Sequence, residues 1–532
     1  MTTPNESNEQ DPVTEQVIIE SSDNENDKKG AVPGWLISIG THAVAVALMA
    51  AVVYGSAKQE TIEYPPSRIP TFPDAPKDPI TDKKITPTPQ DIQLNIPETE
   101  VTQQITQLVE TNEISQMEVD HPEAGNPGRE NAVSDIETGS TAMFMAIGAN
   151  SGGSGMFSNR KGGNRKRIAG QHGGGEIRIP SIESALRWFK RHQSPNGMWD
   201  VDQYQNNCTD GTPKCEPGAN QAGDADVACT SYALMCFLGA GYDHTTPSRY
   251  RDTVAKSLDW LLAQQKADGL FGERNYEHAV ATMALAEALG VSNDQRLRVP
   301  AQKAVDVVIS RQAKDPNAKD KAYAGLAWDY AAPNAARNDT SVSGWSMMAL
   351  KSALGAGLQV GSSMEGAKTW VERAWKAANP NWQNLDPYQG TSVFPYTYDA
   401  NTDKADKDHL SCVGALCAIY LGHHKGDVML ETMANTIMKN DFPNAWPTNT
   451  YFLYYNTLAV FQMGDERWEK WNKPVAKLLA DAQRSDDSCF HGSWDYAGTK
   501  FHGHETGRLL STAYACLSQE VIWRYEQLGS KK

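Results

Sequence analysis

The sequence predicts an all-α fold: a single (α/α)6 toroid over residues 178–530, preceded by a disordered stalk and one transmembrane helix. Three observations predict it. A turn of the form Gln-x3-Gly-x-aromatic recurs at helix ends, amphipathic helices alternate with fully apolar ones, and the alternation runs to six pairs. Such an alternation suits two concentric layers, with the apolar helices inside.

The turn is first met in "ALRWFKRHQSPNGMWD", where Trp188-Phe189 leads to Gln193, Gly197 and Trp199. "WLLAQQKADGLF" repeats the spacing with Gln265, Gly269 and Phe271. Val307-Val308 leads to Gln312 in the same way before a longer loop, and Leu478-Leu479 leads to Gln483, with Trp494 arriving late. A helix that must stop and turn tightly explains the residue types. Gln bonds freed carbonyls or a neighbouring helix end, Gly supplies positive φ, and the ring packs the corner.

Amphipathic helices are expected over 182–193, 253–266, 301–313, 365–378, 428–440 and 466–484. Their apolar partners include "DVACTSYALMCFLGAG", "HAVATMALAEALG" and "LSCVGALCAIYLG", rich in small residues that let backbones approach.

The first third of the chain reads differently. Residues 1–34 are polar and acidic and are expected to be disordered, because they bury too little surface to offset chain entropy. Trp35–Tyr54 is a run of 20 residues without Asp, Glu, Lys or Arg, long enough to cross a bilayer. Trp35 and Tyr54 stand where interfacial rings favour the headgroups. A cleaved signal peptide is the alternative, with "YGSAK" as its cleavage site, but the long acidic leader favours an uncleaved anchor over 35–55. The expectation is a single-pass membrane protein with a cytoplasmic N-terminus and a periplasmic toroid. Residues 56–177 read as a stalk, Pro-rich and then Gly/Arg-rich. Its stretch Gly148 to Glu176 reads as a flexible hinge or as a patch for anionic lipid or polymer.

A net charge of −16 excludes a general nucleic-acid binder, which needs a basic face. The eight cysteines would lie in an oxidising compartment. Cys208 and Cys215 bracket the turn-forming "TDGTPK" and are candidates for a disulfide.

The repeated Gln-x3-Gly-x-Trp pattern with paired helices resembles the QW motif of squalene cyclases and protein prenyltransferase β-subunits. A toroid behind one span and a Gly/Arg-rich stalk also resembles the planctomycete membrane-anchored prenyltransferase/squalene-oxidase-repeat proteins. The resemblance implies where chemistry would lie. Class II cyclases use Asp-x-Asp-Asp-Thr, whose middle acid protonates an alkene. Asp224 and Asp226 match its first two acids, while Val227 replaces the third and Thr230 lies two positions late. Prenyltransferases hold zinc with Asp-x-Cys and a distant His. Asp487 and Cys489 fit the short spacing, with His504 close by in sequence rather than on another helix. No metal or other cofactor is therefore expected.

Glu277-His278 and Asp408-His409 precede inner helices, as catalytic groups of polysaccharide lyases and hydrolases do, or they cap those helices. Trp345, Tyr451, Tyr454 and Tyr455, with Trp328 and Trp446 in joining loops, are the candidate mouth aromatics. They would stack on sugars, cover a lipid or fill the funnel. Because each catalytic set is incomplete, the expected function is a non-catalytic toroid that binds a lipid, peptide or envelope partner. The alternative is a terpenoid cyclase or prenyltransferase-like enzyme acting on isoprenoid lipid, and carbohydrate processing is a third reading.

Overall fold

The structure, a computed structural model, describes residues 155–209, 211–216, 225–320, 324–496 and 503–527. The chain divides into two units, Met1–Leu108, which lies outside the described residues, and Val109–Lys532, which holds everything described below.

Two short helices, α1 (Gly155–Ser158) and α2 (Gly162–His172), precede the ring. Six outer helices follow: α3 (Gly175–His192), α5 (Arg251–Gln264), α7 (Arg298–Ser310), α9 (Ser363–Ala378), α11 (Val428–Asn440) and α13 (Asp465–Ala482). They alternate with six inner ones: α4 (Asp226–Gly239), α6 (Asn275–Ser292), α8 (Thr340–Gly355), α10 (Ser411–Tyr420), α12 (Thr450–Met463) and α14 (Gly503–Arg524). Each inner helix packs against the next, and α14 returns to α4, so the layer closes. The inner helices are buried nearly all round and the outer ones on one face, as the alternation of the sequence requires. The fold is the expected (α/α)6 toroid.

The glutamines hold this ring together. The Gln193 amide donates to its own turn at Gly197 (2.9 Å) and to Thr253 in the first turn of the next outer helix (2.9 Å). Gln265 does the same to Gly269 (3.2 Å) and Pro300 (2.9 Å), and Gln312 to Leu326 and Ser363 (2.9 Å each). Gln483 donates to Gly492 and, across the closure, to Ser181 of the first outer helix (2.8 Å each). Each aromatic residue lies beneath this clamp. The indoles of Trp199, Trp328 and Trp494 donate to Phe189, Val308 and Leu479, which are last-turn carbonyls of the preceding outer helices (2.7–2.8 Å). Their backbone amides donate to Thr230, Ser343 and Thr512 of the following inner helices (3.0–3.2 Å). Gly197 has φ 101° and presses on the next helix, where a Cβ would overlap the Lys256 carbonyl.

The fourth turn keeps part of the pattern. The Phe394 amide donates to Ser411 (3.2 Å), while Asn379 takes the glutamine's place, bonding Trp375 and Val393 (2.7 Å each). His278 substitutes for the hydroxyl in the second turn, accepting from the Phe271 amide (3.1 Å) and donating to Ala304 (2.9 Å). Burial drops its pKa to about 4, so it is a neutral structural imidazole rather than a catalytic one.

Two expectations about the preceding segment change. Residues 155–172 are helical and packed, not a hinge, because their basic side chains find acceptors inside the fold. Arg160 pairs with Glu287 (2.9 Å) and Arg165 donates to the Ala240 carbonyl (2.7 Å). The membrane anchor is also corrected: no helix among the described residues is long and apolar enough to cross a membrane, and the run Trp35–Tyr54 lies outside them.

Around Glu287, the end of the ring where the inner helices finish is sealed. Arg524 also reaches Glu287 (2.6 Å) and pairs with Glu520 (3.1 Å), all fully buried. Two guanidinium groups hold Glu287 charged and its pKa low. Burial instead pushes Glu520 up to about 8, so it stays protonated at neutrality.

Two predictions follow from this frame. Gln312→Ala orphans two buried carbonyls and should lower unfolding free energy by about 2–4 kcal/mol in denaturant titration. Glu520 has a folded pKa above its unfolded value, so the folded chain holds an extra proton between about 4.5 and about 8. Its stabilising contribution is complete below that window and is lost as pH rises through it. Stability measured across the window should fall in the wild type, and Glu520→Gln should flatten the fall.

Candidate functional site

All six connections from an outer helix to the following inner helix emerge at one end of the ring, where the inner helices begin. They span 193–225, 265–274, 311–339, 379–410, 441–449 and 483–502, against returns as short as Gly464 alone. Six helix N-termini therefore face a common mouth, and their dipoles favour acceptor groups there.

The mouth is floored by rings. The Trp345 indole donates to the Tyr276 hydroxyl (2.9 Å) and lies parallel to Tyr454, with 6.0 Å between centroids. Tyr514 donates to Tyr232 (3.1 Å), and Tyr451 packs on Tyr455 with centroids 4.8 Å apart. Burial keeps these phenols protonated, with Tyr276 pushed up to about 12. Tyr276 is half-buried, and the rings beneath it are closed off from solvent.

Charged clusters flank the floor on two sides. On one side Arg337 pairs with Asp329 and with Asp339 (3.0 Å). Asp339, fully buried, also caps α8 by accepting from Val342 (3.0 Å) and Ser341 (2.6 Å). Tyr330 and Tyr396 meet above it, hydroxyl to hydroxyl (3.2 Å). A small antiparallel sheet supports this wall: β1 (Asn338–Asp339), β2 (Thr397–Asp399) and β3 (Lys404–Ala405), with Asn338 opposite Tyr398 and Tyr398 opposite Ala405. On the other side Arg508 joins Glu216 and Asp495 (2.6 Å each), and the Trp446 indole donates to the Asp495 carbonyl (3.1 Å).

The first connection brings carboxylates together. Asp226 opens α4 and accepts from the Val201 amide (2.9 Å), which places it beside Asp200. Burial, the hydrogen-bonded Asp202 and the Asp226 charge push Asp200 up to about 6. A carboxyl whose proton affinity is raised beside a second carboxyl is a candidate proton donor.

The structure gathers some sequence candidates and separates others. Asp224 lies outside the described residues, so only Asp226 of that pair is placed. Trp345, Tyr451, Tyr454 and Tyr455 meet on the axis, and Trp446 stands half-buried at the rim. Trp328 does not join them; it is the ring of the third Gln turn, delayed by the long 313–327 excursion. Asp487 is exposed on the last connection, the His504 side chain lies outside the described residues, and Cys489 is buried elsewhere. Cys208 and Cys215 stand as separate buried thiols. Sequence reading missed Asp200, Tyr232, Tyr276, Tyr330, Arg337, Tyr396, Arg508 and Tyr514. For Tyr276 and Tyr514 the signal was present, since both lie on inner helices as the axial residues do.

Neither protein-family models nor curated proteins match this chain. Solved structures do. The GH76A α-1,6-mannanase of Salegentibacter sp. HEL1_6 is 11% identical, covering 66% of this chain and 100% of its own, with TM-score 0.41. The glycoside hydrolase family 76 mannosidase Bt3792 of Bacteroides thetaiotaomicron VPI-5482 is 12% identical, covering 64% and 97%, with TM-score 0.41. Cellobiose 2-epimerase of Spirochaeta thermophila DSM 6192 is 12% identical, covering 68% and 98%, with TM-score 0.46. Likeness at this level speaks to fold alone. These are carbohydrate enzymes by description, where the repeats had pointed to squalene cyclases and prenyltransferases. The attribution to those families is corrected accordingly, together with the isoprenoid and lipid-scaffold functions drawn from it.

The wall at Arg337 yields a prediction. Asp339→Ala removes the α8 cap and leaves the guanidinium with one partner. It should cost about 3 kcal/mol of stability, read by denaturant titration.

Proposed function

We propose that the mouth is a carbohydrate site and that the protein hydrolyses a glycosidic bond there, with Asp200 as general acid and Asp226 as the carboxylate base. The observation that carries this reading is the pairing of half-buried rings with carboxylates around one opening. Tyr276, Tyr330, Tyr396, Trp446 and Tyr496 each keep part of a ring accessible, with Tyr330 beside Asp329 and both Trp446 and Tyr496 beside Asp495. Sugars present C–H faces to rings and hydroxyls to carboxylates and phenols, so one surface satisfies both. An isoprenoid chain would instead cover Arg337, Arg508 and Asp495 and return no hydrogen bonds, leaving charged groups desolvated.

Asp200, pushed up to about 6, is the group that can hold a proton for a leaving oxygen at mildly acidic pH. Asp226, held by the Val201 amide, supports the base role as the second carboxyl of the pair.

Reducing-end release from a panel of plant, fungal and bacterial polysaccharides tests the reading, alongside saturation-transfer NMR with their oligosaccharides. Turnover should fall above about pH 6 as Asp200 loses its proton. Asp200→Asn and Asp226→Asn should each lower kcat by about 10²–10⁴-fold while oligosaccharide binding persists. A panel that gives neither release nor saturation transfer would sink the proposal.

A further inference from the structure

Away from the mouth floor, three soft or borderline donors converge on a fully enclosed point. His192 ends α3, Cys215 lies on the first connection, and Cys489 lies on the last. Their ligand atoms all fall within 4.8 Å of one another, and the residues are 0%, 2% and 0% exposed. We propose that His192, Cys215 and Cys489 bind a divalent ion of the zinc class, which ties the first connection of the toroid to the last.

The imidazole is already arranged as a ligand. Its Nδ1 donates to the Trp188 carbonyl (2.7 Å), which leaves the Nε2 lone pair directed at Cys489 Sγ (3.1 Å). A carbonyl on the far ring nitrogen is the usual outer partner of a metal-binding histidine. The Trp188 ring stacks on the imidazole with centroids 4.2 Å apart, and its indole donates to the Cys489 carbonyl (3.1 Å). Ring orientation and the Cys489 backbone are therefore both fixed before any ion arrives.

Donor chemistry selects the ion. Two thiols and one imidazole suit zinc or cobalt(II) and exclude magnesium and calcium, which require oxygen. Tetrahedral zinc holds such donors about 3.5–3.8 Å apart, within the spread seen here. Binding displaces the two thiol protons to solvent and leaves both sulfurs as thiolates. Complete burial also argues against Cys489 and His192 acting as a nucleophile–base pair, since no substrate reaches the sulfur. Of the three, only Cys489 was a metal candidate by sequence; Asp487 is exposed and outside the set, and the His504 side chain lies outside the described residues. Cys208 is buried on the same connection as Cys215 and is the group to examine for the fourth position.

The test uses the full chain, purified without a metal-affinity step. Elemental analysis by plasma mass spectrometry should find about one zinc per chain. After chelation, cobalt(II) titration should give thiolate-to-cobalt charge transfer and the strong visible bands of a tetrahedral site. Cys215→Ser and His192→Gln should each lose zinc and weaken those bands, while Cys208→Ser reports whether a third thiolate contributes. If a variant fails to fold, the cobalt spectrum of the wild-type chain still decides. Metal-free protein whose intact mass is two hydrogens short, with Cys215 and Cys489 linked in the peptide map, would overturn the proposal in favour of a disulfide. Metal-free protein with alkylatable thiols and no cobalt spectrum would overturn it outright. Because the readouts are metal content and spectrum, they stand apart from any result on sugar cleavage.

Discussion

One glutamine amide with two acceptors sets the geometry of the ring. It stops an outer helix and grips the first turn of the next, so a single side chain fixes both the end of one pair and the position of its neighbour. Helix ends leave carbonyls without partners, and a buried carbonyl left unpaired is costly. The clamp turns that liability into a joint. Register is tight because the glycine three residues deeper along the neighbouring helix must touch backbone: Gly197 meets Lys256, Gly269 meets Lys303 and Gly492 meets Ser184. No residue with a Cβ fits there, and positive φ excludes one independently.

From that joint the two ends of the toroid acquire different characters. Outer-to-inner connections pass through the clamp and then run freely, so they lengthen without disturbing the ring. Inner-to-outer returns carry no such anchor and stay short. The mouth consequently holds the loops, the sheet and the part-exposed carboxylates, and inner-helix dipoles point their positive ends toward it. The opposite end collects C-terminal carbonyls, and the arginines there answer them: Arg524 donates to Met235 (2.9 Å) and Arg165 to Ala240 (2.7 Å). In the interior the Glu287 carboxylate answers Arg524 and Arg160, Glu183 lies 3.6 Å from Arg165, and Glu520 stays protonated beside Arg524.

What the sequence disclosed divides along the same line. The clamp is local, a fixed spacing within one turn, so Gln193, Gln265, Gln312 and Gln483 were legible and with them the fold. Trp328 was misplaced because the 313–327 excursion separates it from Gln312, and spacing is all that a repeat search sees. Asn379 with Phe394 was invisible for the opposite reason: the roles persist there while the residue types change. The mouth was half legible. Rings on inner helices were found where they clustered in sequence, as Tyr451, Tyr454 and Tyr455 do, while Tyr232, Tyr276 and Tyr514 converge only through closure. Asp200 depends on its neighbours, and no property of its own sequence position marks it. The basic residues of 155–172 read as solvated because Glu287 and Ala240, their partners, lie far along the chain.

Closure is also where the chain carries the most long-range bonding. Neighbouring pairs elsewhere are close in sequence, whereas the first and last pairs meet across about three hundred residues: Gln483 with Ser181 are separated by 302 and His192 with Cys489 by 297. A contact of that span recovers the entropy of ordering everything between its ends only once the rest is formed. The seam answers with many strong contacts rather than one. Arg178 reaches Asn472 and the Gln519 carbonyl, Trp188 the Cys489 carbonyl, Arg191 the His491 carbonyl, and Arg508 the Glu216 carboxylate. The first connection, which carries Asp200 and ends at Asp226, is thus held from the far end of the chain. Asp200 and Asp226 come together only when the ring has shut, which ties the geometry of the mouth to the integrity of the whole toroid.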